Sequence, residues 1–127
     1  MKNLEQLRAA AALVTAEQTT KAAVSKLPAM ILTNGFLAAA AFASEKKEQG
    51  SWKRPEMKSV FDGVALHLAN PLIGIPVLAG CKTSEDMTKA LAKSDSIHLQ
   101  RATSEALAFI GYVKRFTLKA GDEDKRD

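Results

Sequence analysis

The apolar positions of this chain recur mostly at the spacing of a helix. In the first segment, from about residue 3 to residue 26, they alternate in steps of three and four, which predicts one core-facing helix face. These positions are Leu4, Leu7, Ala11 and Val14. Asn3, followed by Gln6 three residues later, predicts a capping box at the start of this helix.

The window from residue 27 to residue 43 carries two conflicting signals. Asn34-Gly35 between two apolar runs is a hairpin signal, whereas Pro28 and the alanine-rich run that follows favour a helix. Neither apolar run alternates with a period of two, and alanine is a poor strand residue. We therefore predict a helix, with Asn34 and Gly35 inside it, buried and closely approached by other helices.

The middle of the chain predicts two more helices and a connector. Pro55 opens a third helix that closes at Asn70, and Thr83 caps a short fourth helix over about residues 84–93. The core stripe of the third helix consists of Met57, Val60, Phe61, Val64 and Leu68. Between the two helices, residues 71–83 form a partly buried connector that is not a strand, because Pro76 lacks a ladder donor.

The last helix has the clearest amphipathic pattern in the chain. It extends from a cap at Asp95 to about Ala120, before Gly121. Its apolar stripe consists of Leu99, Ala102, Ala106, Phe109, Val113 and Phe116. The fold predicted by all segments together is an all-α, single-domain bundle of about five helices over residues 1–121. A disordered charged tail is expected over residues 122–127.

Composition supports this fold class. The chain has 127 residues, enough for one domain with a core of its own, and 46% of them are hydrophobic but only 6% aromatic. Its single cysteine, Cys81, can form no internal disulfide. The start of the chain is charged where a signal peptide is apolar, and no apolar run has the length of a membrane span. We therefore expect a cytoplasmic protein.

Charge points toward polyanionic partners. The formal net charge is +4, from 18 basic and 14 acidic residues. Four acidic and two basic residues lie in the tail, which leaves 16 basic and 10 acidic residues, a net +6, in the rest. A basic body favours nucleic acid, although a charge of this size also suits plain solubility.

Two segments of the sequence resemble a known family. The first is Leu-Pro-Ala-Met-Ile-Leu-Thr-Asn-Gly-Phe over residues 27–36. The second is Arg-Ala-Thr-Ser-Glu-Ala-Leu-Ala-Phe-Ile-Gly-Tyr-Val-Lys-Arg-Phe over residues 101–116. In their order and separation, these segments resemble the small subunit of Cmr-type (type III-B) CRISPR effector complexes.

The resemblance implies an all-α subunit of an inner filament, present in several copies, that supports the guide–target RNA duplex. It also implies partners: the backbone and large subunits of the complex, guide RNA, target RNA and further copies of this chain. It implies no cofactor and no catalysis.

The residues themselves give little support for an enzyme. His67, His98 and Cys81 have no recognised metal-ligand spacing, so we expect surface or half-buried histidines and a core thiol. Glu45 and Glu105 are interpreted as solvated helix charges, and no phosphate loop or nucleophile elbow is present.

The basic residues are the candidate nucleic-acid contacts. Phosphate binding needs lysine and arginine gathered on one face. The candidates are Lys21, Lys26, Lys46, Lys47, Lys53, Arg54, Lys114, Arg115 and Lys119. Trp52, between two of these pairs, is either a base-stacking aromatic or a packed residue. Arg101 is expected to bridge the bundle and hold a carboxylate.

Two other functions remain open at this point. One is a helical protein-interaction module without nucleic-acid contact, using the apolar connector or the alanine-rich face. The other is a helix-turn-helix DNA regulator, which lacks a clear short turn before a polar recognition helix.

Overall fold

The computed structural model describes residues 3–126, and side chains are described for residues 3–117. In this range the chain forms seven α-helices. They are α1 (Leu4–Ala16), α2 (Lys21–Ser25), α3 (Leu27–Asn34), α4 (Phe36–Ala43), α5 (Pro55–Ala69), α6 (Ser84–Ala92) and α7 (Ser96–Arg126). The only β-type pairing among the described residues is one isolated bridge, between Lys46 and Trp52. The prediction of an all-α domain is confirmed.

Helix α5 lies at the centre of the bundle. It packs against α1, α2, α4, α6 and α7, and all five residues of its predicted stripe are buried. Helix α7 packs most extensively against α1, and the predicted stripe of α7 is buried from Ala102 to Val113. Burial of these two stripes contributes to the hydrophobic driving force for folding. The rings of Phe36 and Phe61, 5.9 Å apart between centroids, join α4 to this core.

Helix α1 begins as predicted, but its core-facing side is shifted from the predicted stripe, of which Leu7 and Ala11 pack partly buried against the core. The side chain of Asn3 accepts a hydrogen bond from the Gln6 amide at 2.9 Å, and the Gln6 side chain accepts one from the Asn3 amide, which confirms the capping box. The residues that α1 buries are Ala12 and Thr15. Val14, which the pattern placed in the core, is 60% exposed.

The first predicted helix also divides into two. It ends at Ala16, and α2 starts after Thr20, whose hydroxyl accepts a hydrogen bond from the Ala23 amide. Lys21 therefore lies in the first turn of α2. The helix dipole does not favour Lys21 at this position, because cations are favoured at the other end of a helix.

The prediction of one buried helix through Asn34 and Gly35 is wrong in its centre. Helices form on both sides, but the chain breaks at Gly35, where φ is +94° and ψ is 155°. Both residues are exposed, and a Cβ built on Gly35 would meet nothing within 4 Å. Glycine is needed here for its backbone conformation, which L side chains rarely adopt.

Replacing Gly35 with alanine should therefore destabilise the fold through the backbone alone. We expect Gly35→Ala to lower the free energy of unfolding by about 1 kcal/mol or more in urea titrations. The matched control is Gly111→Ala, inside α7, where a Cβ would also meet nothing within 4 Å. That variant should be neutral or stabilising by up to about 1 kcal/mol, because alanine favours helix. Equal effects of the two substitutions would contradict this account.

The connector between α5 and α6 is partly buried and contains no strand, as predicted. It forms two 3-10 helices, Pro71–Ile73 and Pro76–Leu78. Ile73 and Leu78 are buried, whereas Leu72 is 71% exposed.

The C-terminal part of the chain is helical up to Arg126, and the side chains from residue 118 onward lie outside the described residues. The disordered tail therefore stays a prediction.

Arg101 bridges the bundle as predicted, but through different acceptors. Its guanidinium donates to the carbonyl of Gly74 at 2.7 Å and to that of Ile73 at 3.2 Å. The prediction of a carboxylate partner is wrong. Arg101, on α7, instead holds the connector through hydrogen bonds to the connector's backbone carbonyls.

Candidate nucleic-acid interface

Four of the predicted basic residues lie in one structured turn. Residues 44–54, which we call the basic turn, join α4 to α5. The Lys47 amide donates to the Ser51 carbonyl at 2.8 Å, and the Lys53 amide donates to the Glu45 carbonyl at 3.0 Å. The turn closes at Gly50, whose φ of +94° suits glycine. Residues 44–54 therefore form a defined hairpin-like turn.

The ring of Trp52 forms cation–π contacts with two lysines of the same chain. The ammonium of Lys46 lies 4.7 Å from the Trp52 ring centroid, and that of Lys58 lies 4.3 Å from it. Both distances are within the range of cation–π attraction. This arrangement favours the packed-residue interpretation of Trp52 over base stacking.

Lys58 anchors the turn to the bundle, and sequence reasoning missed it. Its side chain is buried and forms ion pairs with Asp62 of α5 and with Glu85 of α6, the latter at 3.0 Å. Burial acts to raise the pKa of Glu85, but Lys58, a backbone hydrogen bond and the charge of Lys46 together outweigh it, so this pKa lies below its ordinary value. The spacing of Lys58 and Asp62, four residues apart on a helix, was the available signal.

Arg54 is fixed by contacts with α4 and with the turn itself. Its guanidinium carbon lies 3.5 Å from the centroid of the Phe42 ring, and Nη1 donates to Glu45 Oε1 at 2.7 Å. This hydrogen bond lowers the pKa of Glu45. Glu45 is exposed, as we expected, but it lies in the turn and not on a helix. Lys47 and Lys53, in contrast, are exposed and form no ion pair with any described residue. These two lysines are the available cations of the turn.

The remaining candidates lie on a second pair of elements. Helix α2 packs against α7. Lys21 and Lys26 at the ends of α2 are exposed, as is Arg115 on α7, whereas Lys114 is half-buried. The side chain of Lys119 lies outside the described residues. Among the described side chains, no hydrogen bond or ion pair links this group to the basic turn.

A partly buried ion-pair cluster lies between α1, α5 and α7. Arg8 donates to Glu105 through Nε at 2.7 Å and through Nη2 at 2.8 Å, and His67 Nε2 lies 2.9 Å from Glu105 Oε2. The His67 ring stacks on Phe109, with centroids 4.9 Å apart. The expectations of a solvated Glu105 and a half-exposed His67 are therefore wrong. Sequence gave no signal here, because Arg8 and Glu105 are 97 positions apart.

Glu105 is ionised because of its partners. Burial acts to raise the pKa of Glu105, but the hydrogen bonds and charges of Arg8 and His67 outweigh it, so this pKa lies below its ordinary value. The same contact raises the pKa of Arg8. The cluster therefore links helices α1, α5 and α7 through ion pairs and hydrogen bonds.

Other sites for chemistry are few in the described part of the chain. No group of three or more His, Cys, Asp or Glu side chains in that part is arranged to hold a metal ion. Cys81 is half-buried, and burial raises the pKa of its thiol. Among the described residues, no helix has the length and hydropathy of a membrane span.

The fold and site define an all-α domain with two groups of basic residues. One lies on the basic turn, and the other lies on α2 and α7. A family model described as CRISPR-associated protein (Cas_Cmr5) matches residues 3–119. The chain therefore belongs to the Cas_Cmr5 family of CRISPR-associated proteins. This confirms the resemblance that residues 27–36 and 101–116 carry. Searches of curated proteins and of solved structures give no significant match.

Proposed function

We propose that this protein is the non-catalytic small subunit of a type III-B (Cmr) CRISPR effector complex. The single observation that carries the proposal is the family match over residues 3–119. In this role the chain acts in the cytoplasm, occurs in several copies in an inner filament, and contacts the backbone and large subunits. It catalyses no reaction and uses no cofactor.

The proposed RNA contacts are electrostatic. A body with a net charge of +6 attracts the phosphate backbone of a guide–target duplex, and each neutralised phosphate releases counterions. Lys47 and Lys53 support this role best, because they are exposed and unpaired among the described residues, on a turn that Lys58 and Trp52 hold in shape. Lys46 and Arg54 contribute charge to the same turn, although Glu45 offsets that of Arg54.

The test measures RNA binding of the double variant Lys47→Glu/Lys53→Glu across a salt series. We expect weak, sequence-independent binding by the natural chain, lost steeply as salt rises. In the variant, the slope of log K against log salt should fall by about 0.7 for each lost contact to single-stranded RNA. Fluorescence anisotropy with a labelled guide RNA gives both quantities.

The matched control is Lys89→Glu/Lys93→Glu, which makes the same charge change with two exposed lysines at the end of α6. Its slope should remain close to that of the natural chain. Equal losses in both double variants would show that only net charge matters. Tight binding to one RNA sequence, or binding unchanged at high salt, would contradict the proposal.

A further inference from the structure

An apolar groove lies beside α1, and none of the candidate RNA contacts lines it. One wall is the stripe of α1 that the sequence pattern assigned to the core: Leu4, Leu7, Ala11 and Val14. The opposite wall comes from the end of α5, the connector and α7, and its apolar residues are Leu66, Leu72, Ile73 and Ile75. The groove comprises two hollows that share Leu7, of about 610 Å³ and about 250 Å³. We call this surface the α1 groove.

The rim of the α1 groove exposes large apolar side chains. Leu72 is 71% exposed, Val14 60% and Leu66 56%. One exposed leucine is ordinary on a protein surface, but several along both walls of one groove are typical of a docking site. The sequence places an apolar stripe along α1. The other elements of the single chain leave part of that stripe exposed.

The charges of the α1 groove indicate what covers it. Arg8 is neutralised by Glu105 at the floor. Arg101, which lines the same hollow as Leu4, is exposed and donates to two backbone carbonyls, and it has no carboxylate partner among the described residues. No lysine lines either hollow. One unneutralised guanidinium beside an apolar surface suits a single carboxylate on an apolar segment, whereas a phosphate backbone needs several cations.

The length of the groove indicates the shape of that segment. The α1 stripe from Leu4 to Val14 covers ten residue steps, or about 15 Å at 1.5 Å per residue. This matches about three turns of a second helix laid alongside. We propose that the α1 groove binds an amphipathic helix of another protein subunit. That helix presents apolar residues at positions i, i+3 or i+4, and i+7, with one Asp or Glu placed against Arg101.

This inference rests on the proposed function, because it takes the partner to be a subunit of the same effector complex. It adds a division of the surface that the proposed function does not contain: the α1 groove binds protein, and the basic turn binds RNA. The two contacts use different residues, so each can fail without the other.

The test places a photo-crosslinking benzoylphenylalanine at position 72 of the chain, co-expressed with the other subunits of its effector complex. The matched control carries it at position 32 of α3, where Leu32 is 75% exposed but lines neither hollow. We expect position 72 to crosslink to a helical, acid-containing segment of another subunit, and position 32 to give no such product. Crosslinking of position 72 to RNA, to a second copy of this chain, or to nothing would overturn the proposal.

A second measurement uses the substitutions Leu72→Glu and Leu32→Glu. Both should leave helix content and melting temperature unchanged, since both side chains are exposed. Leu72→Glu should weaken association with the other subunits at least tenfold, whereas Leu32→Glu should not. Replacing the crosslinked partner carboxylate with its amide should weaken it about tenfold as well. Leu72→Glu should leave the salt slope of RNA binding unchanged, and a loss of that slope would contradict the division of surfaces.

Discussion

Replacing Glu105 with glutamine should destabilise the protein by about 3 kcal/mol, the cost typical of breaking a buried ion pair from one side. The side chain of Glu105 is only 11% exposed, and its two oxygens accept from Arg8 and His67. Glutamine offers one oxygen and turns an amide N–H₂ toward a donor, so at least one donor loses its acceptor. Urea titration followed by circular dichroism measures the loss.

The control for this prediction is Glu48→Gln in the basic turn, which removes the same charge from an exposed position with no ion pair among the described residues. Its effect should stay within about 0.5 kcal/mol. If Glu105→Gln were as mild as Glu48→Gln, the cluster would contribute nothing to stability.

The pH dependence of the Glu105 effect follows from its lowered pKa. A carboxyl whose pKa is lower in the folded than in the unfolded state binds more protons unfolded, so it stabilises the fold above its unfolded pKa. That contribution is lost as pH falls through the folded pKa. The stability difference between the natural chain and Glu105→Gln should therefore be constant near neutral pH. It should shrink below the ordinary value of 4.5. A difference that grows in acid would contradict the assignment.

Replacing Gly63 with alanine should cost about 2 kcal/mol, because the side chain of Thr15 on α1 packs directly against Gly63 on α5. A Cβ at Gly63 would lie 2.2 Å from Thr15 Oγ1, 3.0 Å from Cγ2 and 3.1 Å from Cβ. Overpacking of this kind costs up to about 3 kcal/mol, and the helix preference of alanine returns about 1 kcal/mol. Valine at the same position should cost more. Thermal and urea unfolding both report the change.

A double-mutant cycle separates this clash from a general effect of the substitution. Thr15→Gly removes all three clashing atoms. It should be less destabilising in the Gly63→Ala background than in the natural chain. Additive effects would show that the two positions do not contact. Gly111→Ala, with open space around its Cβ, serves as the control for adding a methyl group to a helix.

Helix α7 and helix α5 show what can be predicted from this sequence. Their apolar stripes run without interruption, each sits between identifiable caps or prolines, and both are buried as the spacing predicts. The local signals at Asn3 and Thr83 were equally sufficient, because a capping hydrogen bond is made within a few residues. The two segments that resemble the Cmr small subunit led to the family that the match over residues 3–119 confirms.

The candidate site was only partly predictable. Lysines and arginines are visible in the sequence, but their availability depends on neighbours. Arg54 is held by Glu45 and Phe42, whereas Lys47 and Lys53 are exposed and unpaired among the described residues. Lys58 is buried, and no hydrophobic periodicity in the sequence indicates that a lysine at this position is buried. Which of these residues touch RNA stays a prediction.

The sequence by itself determined the fold class, the two long amphipathic helices, the caps and the family, because each depends on residues near one another in the chain. Tertiary structure decided the rest. The helix predicted over residues 27–43 is interrupted at Gly35, where a positive φ suits glycine. The close helix approach that we predicted at Gly35 occurs at Gly63 instead. Tertiary structure also paired Arg8 with Glu105 and left the Leu4–Val14 stripe partly uncovered. Periodicity shows that a helix has an apolar face, but only the packing of the other helices decides which part of that face they cover.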